Sequence, residues 1–125
     1  MTGRTEKAPQ GELLPSFCPA YTRAIEIIGR RWTGAIVRSM LAGSTRFSEV
    51  LADVPGLSDR LLSQRLKELE VEGIVERTVT PTTPVRVDYR LTEKGRSLGA
   101  VVHEVIKWTN EWAVSAEVSG AGLTA

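Results

Sequence analysis

Arg60, Ser63, Gln64 and Lys67 share one side of a helical period, opposite Leu62, Leu66 and Leu69, within LSDRLLSQRLKELEVEGIVERTV, residues 57–79. At about 100° per residue this is the pattern of an amphipathic helix. Its polar side carries groups that read base edges. Arg or Lys can bond guanine O6 and N7, Gln can pair with adenine, and Ser suits either. Ser58 and Asp59 stand at the N-terminal end, the end of a recognition helix that enters the major groove deepest and that attracts phosphate. Asp59 repels phosphate, but it can also cap the helix, accept from cytosine N4 or orient Arg60. Arg65 lies nearer the leucine flank, where a phosphate contact and an internal ion pair are both open. A solvated surface helix uses the same residue types, so the surrounding elements must decide.

Ser58 is a good N-cap for this helix, Leu57 and Leu62 occupy staple positions, and Gly73 ends it. Before it, a first helix is expected from Cys18-Pro19 to Gly29, with Tyr21, Ile25 and Ile28 at helical spacing. A second is expected from about Arg31 to Ala42, closed by Gly43. A short third carries Phe47, Val50, Leu51 and Val54 and stops at Pro55-Gly56. After it, Ile74 to Val79 reads as a strand, TPTTP as a loop, and Val87, Tyr89 and Leu91 as the inner face of a second strand, with Arg86, Asp88 and Arg90 facing solvent. Thr92 can cap a last helix running to about Trp112. A short helix, a glycine-containing turn and a capped helix make a helix-turn-helix; the following hairpin is a wing. This order favours the DNA reading of the polar face. It adds Thr82, Thr83 and Arg86 of the wing as contacts to the DNA backbone or minor groove, and Arg46 at the start of the third helix as a phosphate contact.

The expected fold class is α+β, mainly α: a winged helix-turn-helix at 17–113, with the wing at about 74–91 and a C-terminal helix at about 92–112. Residues 1–16 read as a loose arm and 114–125 as a loose tail. At 125 residues the chain suits one domain. Net charge is only +1, but residues 22–67 hold eight bases against four acids, whereas 68–125 hold six bases and nine acids. That asymmetry fits one binding face and one solvated face. No apolar run is long enough to span a bilayer, and the N-terminus lacks the order of a signal peptide, so a cytoplasmic protein with no membrane partner is expected. One cysteine and one histidine make no metal-ligand set. The chain offers no nucleophile–base pairing and no glycine-rich phosphate loop, so neither catalysis nor a cofactor is expected.

The last helix carries Leu98, Val101, Val105, Trp108 and Trp112 on one stripe, more apolar surface than covering a small winged domain requires. Such a patch usually marks a partner, and aromatic residues are enriched at interface cores; the alternative is a helix that folds back to close its own core.

Taken in order, CPAYTRAIEIIGRRWT, RFSEVLADVPGLSDRLLSQRLKELEVEGIVERT and VRVDYRLTEKGRSL resemble the HxlR-type winged-helix transcription regulators of bacteria and archaea, over about Cys18 to Trp112. The resemblance implies a homodimer on a (pseudo)palindromic operator in double-stranded DNA. The first and last helices, with Tyr21 and Ile25 beside the stripe above, would be the dimer interface, and the Ser58 helix and the Thr80–Pro84 wing would touch DNA. Where the family often has Gly-Lys before the tryptophan, this chain has Arg30-Arg31. Several such regulators resemble one another in an N-terminal Cys-Pro cysteine that senses oxidants or electrophiles, which makes Cys18 the redox-sensing candidate. A small inert packing cysteine is the alternative. A small-molecule effector bound between the first and last helices, near Tyr21, Ile25, Trp108 and Trp112, is a second possible input. A winged-helix protein–protein module without DNA binding is the alternative function.

Overall fold

The computed structural model describes residues 16–113. The elements run α1 (Pro19–Ile28), α2 (Thr33–Leu41), α3 (Phe47–Asp53), α4 (Asp59–Val71), β1 (Val75–Thr80), β2 (Arg86–Leu91), α5 (Glu93–Arg96) and α6 (Leu98–Trp108), followed by a π-helical turn, Thr109–Ala113. Apart from residue 16, the expected arm and tail lie outside the described residues.

One core is built from α2, α3, α4 and the root of the hairpin, with Ile27 of α1 and Leu98 and Val102 of α6 packed against it. Ile36, Val37 and Met40 of α2 meet Val50 and Val54 from α3 and its end, Leu62, Leu66 and Leu69 of α4, and Ile74, Val75 and Leu91 at the root of the hairpin. The leucine stripe of α4 is buried. At roughly 1.5–3 kcal/mol per fully buried leucine, it is what fixes the rotation of α4 and hence which face is left outside. Ser58 caps the helix as expected, its Oγ accepting from the Leu61 N–H at 3.1 Å, and Leu57 is buried beside it.

The structure corrects several sequence expectations. Helix α2 starts at Thr33, not Arg31, because Trp32 has φ 79. That left-handed conformation costs a non-glycine residue about 1–2 kcal/mol. It places the indole at the α3–α4 turn, 3.2 Å from where a Cβ on Gly56 (φ +89) would stand, so only glycine fits that turn. Strand β1 begins at Val75, one residue later than expected. The last helix is not continuous. Thr92 caps only α5, accepting from the Gly95 N–H at 3.1 Å, and the chain re-forms as α6 after Ser97. Asp88 does not face solvent; it is 5 % exposed.

The hairpin is antiparallel, pairing Val75 with Leu91, Arg77 with Tyr89 and Val79 with Val87 on one face, and Glu76 with Arg90, Thr78 with Asp88 and Thr80 with Arg86 on the other. The Tyr89 N–H donates to the Thr45 carbonyl at 2.8 Å, tying the wing to the segment before α3.

Candidate nucleic-acid interface

With its leucines in the core, α4 leaves Arg60, Ser63, Gln64 and Lys67 exposed together on its outer side. Asp59 is exposed in the first turn. Ser58 is exposed too, but its hydroxyl is engaged in the cap. Thr82 and Thr83 are exposed at the wing tip, where the Thr82 hydroxyl donates to the Pro84 carbonyl at 2.8 Å.

Of the two roles open for Arg65, the geometry gives the internal one. Its Nε donates to the Arg31 carbonyl at 2.9 Å and its Nη1 lies 3.3 Å from Glu68 Oε2, with the side chain largely covered. It supports α4 from behind and is withdrawn from the exposed polar face. Two further ion pairs join α1 and the turn after it to the same helix: Arg23 to Glu72 at 2.6 Å and Arg30 to Glu68 at 2.9 Å. Helix α1 has no buried residue, so these charges and the packing of Ile27 are its hold on the domain. Sequence reading missed this seam, because its partners lie 38 and 49 residues apart.

A second charged cluster gathers at the base of the wing. Arg86 Nε donates to Asp88 Oδ2 at 2.9 Å. That bond holds the Asp88 carboxyl below its ordinary range, against the effect of burial, with the fields of Arg86, Arg90 and Arg46 in support. The same bond raises the Arg86 guanidinium. Glu49 Oε1 accepts from the N–H groups of Thr45 at 2.9 Å and Arg46 at 3.1 Å. Those two backbone bonds, more than the nearby arginines, lower its carboxyl. Arg46 and Arg86, placed apart by sequence reading, thus act on shared carboxylates at one site. Arg86 remains half-exposed while paired.

The polar flank of α4 also faces the hairpin across a hollow of about 500 Å³ lined by Ser63, Leu66, Lys67, Glu70, Arg77 and Tyr89. Arg77 and Tyr89 were not anticipated there. The available signal was Arg77 itself, which breaks the inward series Val75, Arg77, Val79.

Away from this face, Tyr21, Ile25, Val101, Val105, Trp108 and Trp112 are all exposed apolar side chains, joined by Phe17. Leu98 is a correction to the expected stripe: with Val102 it packs on the protomer's own core. The hollow beside α6 is also not the one expected. It measures about 600 Å³, lies against α2 and the end of α3, and is lined by Arg38, Val54, Val101 and Val105 among others. None of Tyr21, Ile25, Trp108 or Trp112 lines it. Cys18 is a free, half-buried thiol at the N-cap of α1, its carbonyl accepting from the Thr22 N–H at 2.9 Å. Among the described residues no cluster of His, Cys, Asp and Glu could hold a metal ion, and no helix is long and apolar enough to cross a membrane.

Comparison with known proteins places this architecture. The HxlR-like helix-turn-helix family model matches residues 27–117. The HTH-type transcriptional regulator YvaP of Bacillus subtilis, itself uncharacterized, is 52% identical over 96 residues, 77% of this chain and 89% of that protein. The transcriptional regulator YodB of the same organism is 43% identical over 97 residues, 78% of this chain and 87% of its own. The reduced form of YodB superposes with a TM-score of 0.70, covering 78% of this chain and 95% of that one. YodB has also been solved diamide-treated and quinone-bound. The redox regulator HypR in its oxidized form superposes with a TM-score of 0.68 at 36% identity, covering 75% of this chain and 96% of that one. A helix-turn-helix with its wing, an exposed polar face on α4 and these relatives together identify the chain as a member of the HxlR-like helix-turn-helix family, a DNA-binding transcription regulator.

Proposed function

We propose that the protein is a cytoplasmic homodimer that binds a palindromic operator, meets base edges and phosphates with Arg60, Ser63, Gln64 and Lys67, and holds the DNA backbone with Arg46, Arg86 and the Thr82–Thr83 wing tip. The observation that carries this reading is the division of α4. One side is buried leucine, and the other presents four exposed side chains suited to base edges and phosphates. Asp59 and Ser58 enter with the first turn, Ser58 as the cap. A two-fold dimer through α1 and α6 would set the two α4 helices about 34–36 Å apart, one turn of DNA. The exposed apolar side chains of those two helices are the support for that pairing.

Arg60→Ala and Gln64→Ala are each expected to weaken operator binding by about 1–3 kcal/mol and to relax the preference at one base pair. Anisotropy titrations against single-base operator variants check this. Wild-type affinity and preference in both variants would remove α4 as the reader.

The input we propose is an oxidant or electrophile at Cys18. Cys18, Tyr21 and Ile25 fall on one side of α1 at helical spacing, so the thiol heads the apolar face assigned to the dimer. An adduct or an intersubunit disulfide there would shift α1, and the ion pairs to Glu68 and Glu72 would carry that shift to α4. YodB, with its diamide-treated and quinone-bound forms, and HypR, a redox regulator, support the chemistry. Cys18→Ser is expected to bind the operator like wild type under reductant. It should lose the oxidant-dependent change in affinity, which an allosteric coupling of usual size makes roughly 5- to 150-fold. A retained response in the serine variant would move the input to a small-molecule site such as the hollow beside α6.

A further inference from the structure

The hollow between α4 and the hairpin has a feature that neither a packed core nor a solvated surface requires. On the inner face of the hairpin the cross-strand pairs run outward from the core as Val75 with Leu91, then Arg77 with Tyr89, then Val79 with Val87. The first pair is buried in the core. The second stands where that face leaves the core and begins to line the hollow, and there an arginine replaces the apolar residue that period-two alternation calls for. Lys67 and Ser63 approach from the α4 side, and Glu70 stands on the same wall. Among the described residues neither Lys67 nor Arg77 has an ion-pair partner. Two uncommitted cations on different elements thus converge with a hydroxyl and a phenol, all of them hydrogen-bond donors.

We infer that this hollow seats a backbone phosphate of the DNA strand that passes between the groove read by α4 and the groove reached by the wing, with Arg77 and Lys67 supplying the charge and Ser63 and Tyr89 the neutral donors. The inference rests on the proposed docking of α4 and the wing. An element in each of two adjacent grooves leaves one strand of the duplex to cross between them, and the hollow lies on that path. Arginine suits the task because its fork can bond two oxygens of one phosphate. Arg77 is therefore a positioning contact: it fixes the register of the duplex and carries no base information.

The test is anisotropy of the full chain across a salt series, on a duplex from the intergenic DNA beside its own gene and on an unrelated duplex of equal length. For Arg77→Ala we expect both affinities to fall together, about tenfold at about 0.1 M salt, and the slope of log K against log salt to become shallower by about 1. Arg77→Lys should keep the wild-type slope. The ratio of the two affinities should not move in either variant, whereas Gln64→Ala should change that ratio and leave the slope alone. Wild-type affinity and slope in Arg77→Ala, with Gln64→Ala still losing preference, would overturn the phosphate seat and leave the recognition helix standing. A changed ratio in Arg77→Ala would make Arg77 a base reader and equally overturn it. No salt-dependent binding by the wild-type protein on either duplex would overturn both readings.

Discussion

Val105→Glu combined with Trp108→Glu is expected to give a folded monomer that has lost most of its operator affinity. Both side chains are more than half exposed in the protomer, at 55% and 58%. The inward edge of α6, Leu98 and Val102, is untouched by the change, so the fold should keep its core. In the dimer those positions would be covered, and a carboxylate without a partner in an apolar contact is strongly disfavoured. Losing one of two linked half-sites removes the gain from effective concentration, roughly 10²–10⁴-fold. Sedimentation would report the mass and anisotropy the affinity. A variant that stays dimeric would place the interface elsewhere, and one that unfolds would return these residues to the protomer's own core.

The second large effect is expected at Gly95. A Cβ there would stand far inside contact distance of the Ile74 carbonyl oxygen and 3.0 Å from Leu91 Cδ2. Neither neighbour can easily yield. The Ile74 carbonyl accepts from the Thr92 N–H at 3.0 Å, and Leu91 belongs to the core. Gly95→Ala must therefore push α5 off the root of the hairpin, which tilts the wing as well as weakening the core. We expect a loss of about 3 kcal/mol, the upper end for overpacking. For a domain of this size that is a fall in melting temperature of more than about 10 °C. Gly99, four positions on, is the control. A Cβ there would meet Leu41 Cδ2 at 3.6 Å, an ordinary contact, and alanine is the better helix former by about 1 kcal/mol. Gly99→Ala should melt no lower than wild type. Equal melting of the two variants would show that α5 does not sit where the contact to Ile74 requires.

The legible parts of this chain were the local ones. Ser58, the leucine stripe and Gly73 define α4 without tertiary information, because a cap, a 3.6-residue period and a left-handed terminator (φ 77 at Gly73) are properties of neighbouring residues. The polar face followed from the same period. What sequence could not reach depends on residues distant in the chain. Arg65 is turned inward by a carbonyl 34 residues away. Asp88 sits in an alternating strand, and alternation alone sends it to solvent; its pairing with Arg86 and its proximity to Arg46 make burial tolerable. The single long final helix failed where Thr92 and Gly95 close a separate turn against Gly73 and Ile74. Trp32 falls within an otherwise helical apolar pattern, yet its backbone turns left-handed, where its ring sits beside Gly56. Arg77 was visible as an anomaly in the strand pattern, but its meaning required the opposing wall supplied by α4.

Sequence reading by α4 is tested most directly by the affinity of the reduced protein for the intergenic DNA beside its own gene, measured by anisotropy with unrelated DNA as competitor. The expected complex survives excess competitor, has the stoichiometry of one dimer per site, and weakens by about 1–3 kcal/mol on Arg60→Ala or Gln64→Ala. Binding that unrelated DNA removes equally well, and that neither substitution alters, would contradict sequence reading by α4.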